Sequence, residues 1–319
     1  MNDATLRPDV RGFLDGMAAN PRPPMNDQTI AMMRQIPAEM MEQMLQQIDL
    51  PVGDLGEIRD VTMPGPGGDI ALRLFDVRKE RAAGPVVVFY HGGGFVVGSI
   101  GTHAPMAAEI SRQLDLPVVS VEYRLAPENP WPAAPDDAEA AARWVAENGS
   151  AFGREFTSLI PCGDSAGGTL TLVTTLALRD KPAGLPLLMQ IPIYPVSDRS
   201  KPYPSGIAFA NGFGLDQEGM DYYDAAYRSD KTHWRASPLF ADLAGLPPTL
   251  LVTAEFDPLR DEGRAFAAKA TEAGVQVTYR EFPGTIHGFC TYRRGIPSAQ
   301  QDFATIMGLA RGLMAEALG

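Results

Sequence analysis

Cysteine is almost missing from this chain, with only Cys162 and Cys290 among 319 residues. A disulfide framework is thereby excluded, and both are expected to be buried free thiols, which a reducing compartment leaves unpaired. Histidine is nearly as scarce (His91, His103, His233 and His287), and no Cys/His group has the spacing of a metal site. Neither metal nor cofactor is therefore expected. Basic side chains fall short of acidic ones, 27 against 39, for a formal charge of −12. Nucleic acid is set aside as a partner, because a phosphate-binding face needs the opposite sign. No apolar stretch reaches the roughly 18 residues of a membrane span, and the start of the chain, with Asp3, Arg7, Asp9 and Arg11, carries no apolar leader. The expectation is a soluble cytoplasmic protein without stable membrane insertion. Internal repeats and low-complexity tracts are also absent, and 45% hydrophobic against 21% charged residues suffices for a large core.

What the chain does contain is an alternation of two periods. Residues 86 to 180 read as strand, helix, strand, helix, strand, helix, with apolar runs at Val86–Tyr90, Val118–Val121 and Ser158–Cys162. Continuous apolar runs of that length suit central strands covered on both faces. Alternation of this kind argues for a parallel sheet with right-handed crossovers. It resumes with strands at 187–193, 249–254 and 275–282, a helix at 259–273 closed by Gly274, and a last helix at 297–318. Two strands, 57–63 and 70–77, precede it around a Pro/Gly turn at 64–68.

Two regions break the alternation. Residues 1–50 hold eight of the 14 methionines, and Ile30, Met33, Ile36 and then Met40, Met44, Ile48 recur at helical spacing, which predicts two short amphipathic helices. Residues 197–235 are rich in aromatic side chains, and Asp216 is placed to cap a helix that carries Met220, Tyr223 and Tyr227 on one face. Both regions are expected either to add to the core or to form a lid over a site, with methionines lining an adaptable apolar pocket.

The densest chemical signal is Gly163-Asp164-Ser165-Ala166-Gly167, between an apolar strand and a helical segment. Strand, sharp turn and helix are the setting of a nucleophile elbow, in which glycines on either side let the serine adopt a strained backbone. A second glycine run, His91-Gly92-Gly93-Gly94-Phe95, follows a buried strand and can turn its N–H groups toward a reacting oxygen. A phosphate cradle is disfavoured there, since no G-K-[ST] follows. A nucleophilic serine needs a base. His287 sits in a glycine-flanked loop after the last strand, at the carboxyl end of the sheet where α/β folds keep their sites. The orienting acid should end a strand between the two; Asp257 does so, and Glu255 is its rival. Asp261 and Glu262 fit the first turn of the following helix. The order Ser165, Asp257, His287 is that of α/β-hydrolases.

These pieces, together with Tyr123-Arg124-Leu125-Ala126-Pro127-Glu128, Asp257-Pro258-Leu259-Arg260-Asp261-Glu262-Gly263 and His287-Gly288-Phe289, resemble the bacterial hormone-sensitive-lipase-like esterases of the GDSAG group. The resemblance covers the chain from about residue 56 onward. It implies one α/β-hydrolase domain over 1–319, with a mostly parallel eight-stranded sheet flanked by helices. A helical cap would come from about 1–50 and 197–235, and the catalytic core from 51–196 and 236–319. It implies oxyanion donors at the N–H groups of Gly92, Gly93 and Ala166, supporting roles for His91, Asp164 and Glu128, and homodimerisation. The expected activity is hydrolysis of carboxylic esters of short to medium acyl chain through an acyl-enzyme. Thioesters, lactones or amides are the alternative substrates of the same triad. A non-catalytic small-molecule receptor is the other reading, which an intact His287 disfavours.

Overall fold

The computed structural model describes residues 5–21 and 23–319. Its framework is one eight-stranded sheet: β1 (Glu57–Gly65), β2 (Gly68–Asp76), β3 (Gly84–Tyr90), β4 (Val118–Val121), β5 (Phe156–Asp164), β6 (Ile191–Ile193), β7 (Thr249–Phe256) and β8 (Val277–Ile286). The spatial order is β1-β2-β4-β3-β5-β6-β7-β8. Antiparallel pairing joins β1 to β2 and β2 to β4, and every other pair is parallel, so β2 alone runs against the rest.

Alternation along the central strand decides which helix covers which face. Val87 and Phe89 of β3 point into a core shared with Ala107 and Ile110 of α4 (Ala104–Leu114) and with Phe303 and Ile306 of α10 (Ser298–Leu318). Val86, Val88 and Tyr90 point the other way, toward Ala138 and Ala141 of α5 (Ala133–Glu147) and Leu170 and Val173 of α6 (Ala166–Asp180). Small alanines on α5 let that helix lie close to the sheet. A third cluster joins the outer side of α6, through Leu172 and Leu176, to Phe266 and Ala270 of α9 (Arg260–Glu272). All five β3 side chains from Val86 to Tyr90 are fully buried, each contributing on the order of 1.5–3 kcal/mol for the larger ones.

Several elements differ from expectation. The strand expected over 187–193 is regular only at Ile191–Ile193, with isolated bridges from Leu187 to Leu159 and from Gln190 to Thr249. In contrast, β8 runs on to Ile286, directly before His287. The N-terminal segment forms α2 (Asp27–Arg34) and α3 (Ala38–Leu45) as expected, but also α1 (Pro8–Ala19), which the methionine pattern did not announce. Pro8 suits its first turn, and Val10 and Leu14 insert into the core beside β8 and α10. Arg7 fastens its start to Asp302, and Asp9 accepts from the Ser298 N–H at 2.8 Å. The methionine-rich face turns out mostly exposed: Met32, Met40 and Met44 are each about half accessible, while Met25 and Met33 pack on the core. Met1 lies outside the described residues. Asp216 does precede α8 (Gln217–Tyr227), but its carboxylate accepts from the Gly212 N–H at 2.9 Å and makes no bond to its own helix.

Asp49 ties the N-terminal segment to the loop after His287 by a two-point ion pair with Arg293, at 2.7 and 3.0 Å, and both side chains are buried. Removing one partner of such a pair leaves a buried charge without compensation. Asp49→Ala is expected to lower stability by about 3–5 kcal/mol, and Asp49→Asn by less. Urea unfolding of the two variants beside the parent checks the order and the size.

Candidate active site

Three strands end on the same side of the sheet and deliver the candidate groups. β5 ends at Asp164, and Ser165 follows with φ 53° and ψ −118°, a backbone conformation that L-residues rarely adopt. Its N–H donates to the Ile193 carbonyl at 2.9 Å, and its carbonyl accepts from Thr169 at 3.1 Å. The turn requires glycine where the chain doubles back: a Cβ on Gly167 would sit 1.9 Å from the Tyr90 carbonyl oxygen. After β7, Asp257 is fully buried, and after β8, His287 is 9% exposed.

The three meet. His287 Nδ1 donates to Asp257 Oδ2 at 2.7 Å, and His287 Nε2 lies 2.8 Å from Ser165 Oγ. The second oxygen of Asp257 accepts from the Leu259 N–H at 2.8 Å, which holds the carboxylate from its other side. Tyr194 packs its ring 4.7 Å from that of His287. A carboxylate, an imidazole and a hydroxyl in this order can draw a proton from the hydroxyl as it attacks and return it to a leaving group. Glu255, the rival acid, is spent elsewhere, accepting from the Gly284 N–H at 2.7 Å.

The glycine loop departs from expectation at one position. Gly92 N–H donates to Asp164 Oδ1 at 2.9 Å and is not free to meet an oxyanion. Gly93, Gly94 and Ala166 donate their N–H groups to no partner among the described residues, and Gly94, Ala166 and Ser165 all face the same cavity. Of the expected donors, Gly93 and Ala166 thus keep N–H groups without a partner and Gly92 does not, while Gly94 adds a further unpartnered N–H beside them. Asp164 consumed the first N–H; the sequence carried no sign of that contact.

The supporting residues separate into two places. His91 is buried beneath the loop, its ring 4.2 Å from that of Tyr123, with Nδ1 2.8 Å from the Gly92 carbonyl. Burial first, and the neighbouring His103 second, hold its imidazole neutral, with a pKa lowered to about 3. Asp164 is also fully buried; desolvation alone would raise its pKa, but the charge and hydrogen bond of His103 keep it below the ordinary carboxylate value. Glu128, in contrast, is an exposed residue away from the triad. It pairs with Arg34 of α2, which also donates to the Val96 and Ala126 carbonyls at 2.8 and 2.7 Å, so its contribution is to hold α2.

Above Ser165 lies a cavity of about 610 Å³. Its lining includes the apolar Ile207, Leu215, Met220 and Leu259 and charged side chains of both signs, Arg199, Lys201 and Lys231 with Asp198, Asp221, Asp224 and Glu262. Met220 is the only methionine among the residues lining it, which narrows the expected methionine pocket to one side chain. Arg199 lies over the rings of Phe95 and Tyr227, 5.1 Å from each centroid, and pairs with Asp224 at 3.0 Å. Burial pushes the Glu262 carboxyl well above its usual pKa, against the opposing pull of the Arg199 charge. Glu262 was expected as a first-turn acid of α9, and its depth could not be read from that position. Cys162 and Cys290 are both free and buried, as expected. Among the described residues no group of acidic, histidine or cysteine side chains could hold a metal ion, and no helix is long and apolar enough to cross a membrane.

A family model of the α/β-hydrolase fold matches residues 87–291. Carboxylesterase NlhH of Mycobacterium tuberculosis is 39% identical over 282 residues, 85% of this chain and 88% of the relative. Ethyl acetate hydrolase of Pseudomonas putida is 34% identical, over 76% of this chain and 78% of its own length. Among solved structures, ester hydrolase EH1AB1 from the metagenome of Lake Arreo superposes with a TM-score of 0.87 at 36% identity, covering 98% of this chain and 99% of that one. The hyperthermophilic esterase of Pyrobaculum calidifontis gives 0.83 at 35% identity, covering 96% and 99%. The chain belongs to the α/β-hydrolase family, in its hormone-sensitive-lipase-like group.

The neutral His91 sets a pH dependence of stability. With a folded pKa near 3 against 6.5 when free, the unfolded chain takes up the proton first, so this contribution is full above pH 6.5 and declines as pH falls toward 3. Between pH 7 and pH 5 the loss from this group alone is about 2 kcal/mol. Urea unfolding at the two pH values should show a smaller difference in His91→Asn than in the parent.

Proposed function

We propose that this protein is a carboxylesterase that cleaves small carboxylic esters through an acyl-enzyme, with Ser165 as nucleophile, His287 as general base and acid, and Asp257 as the group that orients and charges the imidazole. The observation that carries the reading is the unbroken chain of contacts from Asp257 through His287 to Ser165, at 2.7 and 2.8 Å. Ester cleavage is also the activity named for the relatives. Gly93, Gly94 and Ala166 supply the oxyanion donors, each worth on the order of 10²- to 10³-fold in rate. His287 takes the serine proton during attack and gives it to the leaving alcohol, after which water repeats the cycle.

Helices α2, α7 (Pro204–Ala208) and α8 form the cap in this reading. Support comes from the Tyr222 hydroxyl, which donates to Asp27 at 2.8 Å and so bridges α8 to α2, and from Tyr223, whose ring covers Gly94 closely enough that a Cβ there would lie 2.5 Å away. A cavity of about 610 Å³ beneath such a cover limits the acyl chain to short or medium length.

Ser165→Ala is expected to abolish ester turnover, by about 10⁶-fold in kcat, and Asp257→Asn to lower it by about 10⁴-fold. Release of nitrophenol from acetyl to palmitoyl esters checks both variants and the length limit together. Equal rates for Ser165→Ala and the parent refute the mechanism, and a maximum at the longest chains refutes the enclosed pocket.

A further inference from the structure

The loop with the oxyanion donors is held from outside the triad, and the holding group is a histidine that the hydrolysis scheme does not use. Gly92 is the first peptide of that loop, and its N–H meets Asp164 Oδ1 at 2.9 Å. The same N–H is 3.3 Å from His103 Nε2, and that nitrogen is 3.5 Å from Asp164 Oδ1. One atom from each of three elements therefore converges: the end of β3, the end of β5, and the residue before α4.

The other end of the His103 ring is also fixed. Nδ1 lies 2.9 Å from Thr102 Oγ1, and that hydroxyl is itself locked in a turn, accepting from the Ser99 N–H at 2.8 Å and reaching the Ser99 carbonyl at 3.0 Å. The ring is thus anchored whichever nitrogen bears the proton. Among the described residues His103 is the one ion-pair partner of Asp164, a buried carboxylate at the end of β5, the strand paired with β3 in the middle of the sheet. A buried carboxylate in this position keeps a defined orientation only while its lone pairs are occupied.

We propose that His103 is a positioning residue for catalysis: together with Asp164 it fixes the Gly92 peptide, and so the direction in which the next two N–H groups, those of Gly93 and Gly94, meet the oxyanion. The claim rests on the proposed ester hydrolysis and goes beyond it, since His103 contacts neither the substrate cavity nor the triad. Donors aimed at the oxyanion act on the transition state far more than on the bound ester. Losing the anchor therefore lowers kcat and leaves KM nearly unchanged.

The test compares His103→Leu, which fills the space without a polar atom, with His103→Gln, whose amide reaches about where Nε2 lies. With p-nitrophenyl butyrate, His103→Leu is expected to lose about 10- to 100-fold in kcat with KM within about threefold of the parent. His103→Gln should recover most of that loss. Inactivation by a nitrophenyl phosphonate, whose adduct places an oxygen on the same donors, should slow in step with kcat. Thr102→Val, which frees only the far end of the ring and spares the buried carboxylate, should show a smaller loss of the same kind. Parent-like kcat in a folded His103→Leu, a loss confined to KM, or failure of glutamine to rescue overturns the role. Thr102→Val with unchanged kcat does so even where the leucine variant does not fold. Each result is read against a parent that turns over the ester; a parent that does not would refute the hydrolase reading itself.

Discussion

The close passage of the chain at Ser165 is the constraint on which the rest depends. Holding a serine at φ 53° costs on the order of 1–3 kcal/mol, and it persists only because the surroundings over-determine it. Tyr90 at the end of β3 and Gly163 and Gly167 on either side of the serine approach so closely that no side chain fits between them. Once β3 must lie directly beside β5, the glycine loop that continues β3 necessarily emerges next to the serine. The two halves of the site are therefore one packing event. Strand order then brings β7 and β8 to the other side, and Asp257 and His287 arrive from there.

Two buried carboxylates serve this centre and are kept from interfering by their partners. Asp257 spends its oxygens on His287 and on the Leu259 N–H, so its charge is aimed along the imidazole. Asp164 turns one oxygen, Oδ1, to both the Gly92 N–H and His103, so its charge is aimed at the loop. Neither could take the other's place, although both directly follow or end a parallel strand. Burial of such groups is tolerated where each acceptor has a donor. The neutral His91 completes the arrangement by stacking beneath the loop without adding a competing positive charge.

The core of this design was legible because it is written in short, contiguous signals. Apolar runs marked β3, β4, β5 and β7 within a few residues, and glycine spacing marked the elbow. Ser165, Asp257 and His287, which the fold brings into contact, could be picked out by position and order. The misses were contacts made across the fold. Nothing in His91-Gly92-Gly93-Gly94 says that its first glycine N–H belongs to Asp164, 72 positions away. Helix α1 escaped because the methionine count drew attention to residues after it, while Pro8, Val10 and Leu14 were the informative pattern. The Leu187–Ile193 segment has the composition of a strand, but its first four residues only touch their neighbours at single bridges. Glu128 was marked by its motif, but its partner Arg34 on α2 could not be read from it.

The cavity explains why substrate choice is the least legible property of the chain. Its apolar wall comes from α7, α8 and the start of α9, where leucine, isoleucine and methionine would be read as core in any sequence. The charged part of the lining is built from groups that are far apart along the chain and that partly cancel: Arg199 and Lys231 share Asp224, and burial raises the pKa of Glu262. Arg199, Lys201 and Lys231 are set there against Asp198, Asp221, Asp224 and Glu262, so the charges of both signs nearly balance around the cavity. The cavity thus combines apolar side chains with charges of both signs. That combination only exists once α8 has folded over the glycine loop.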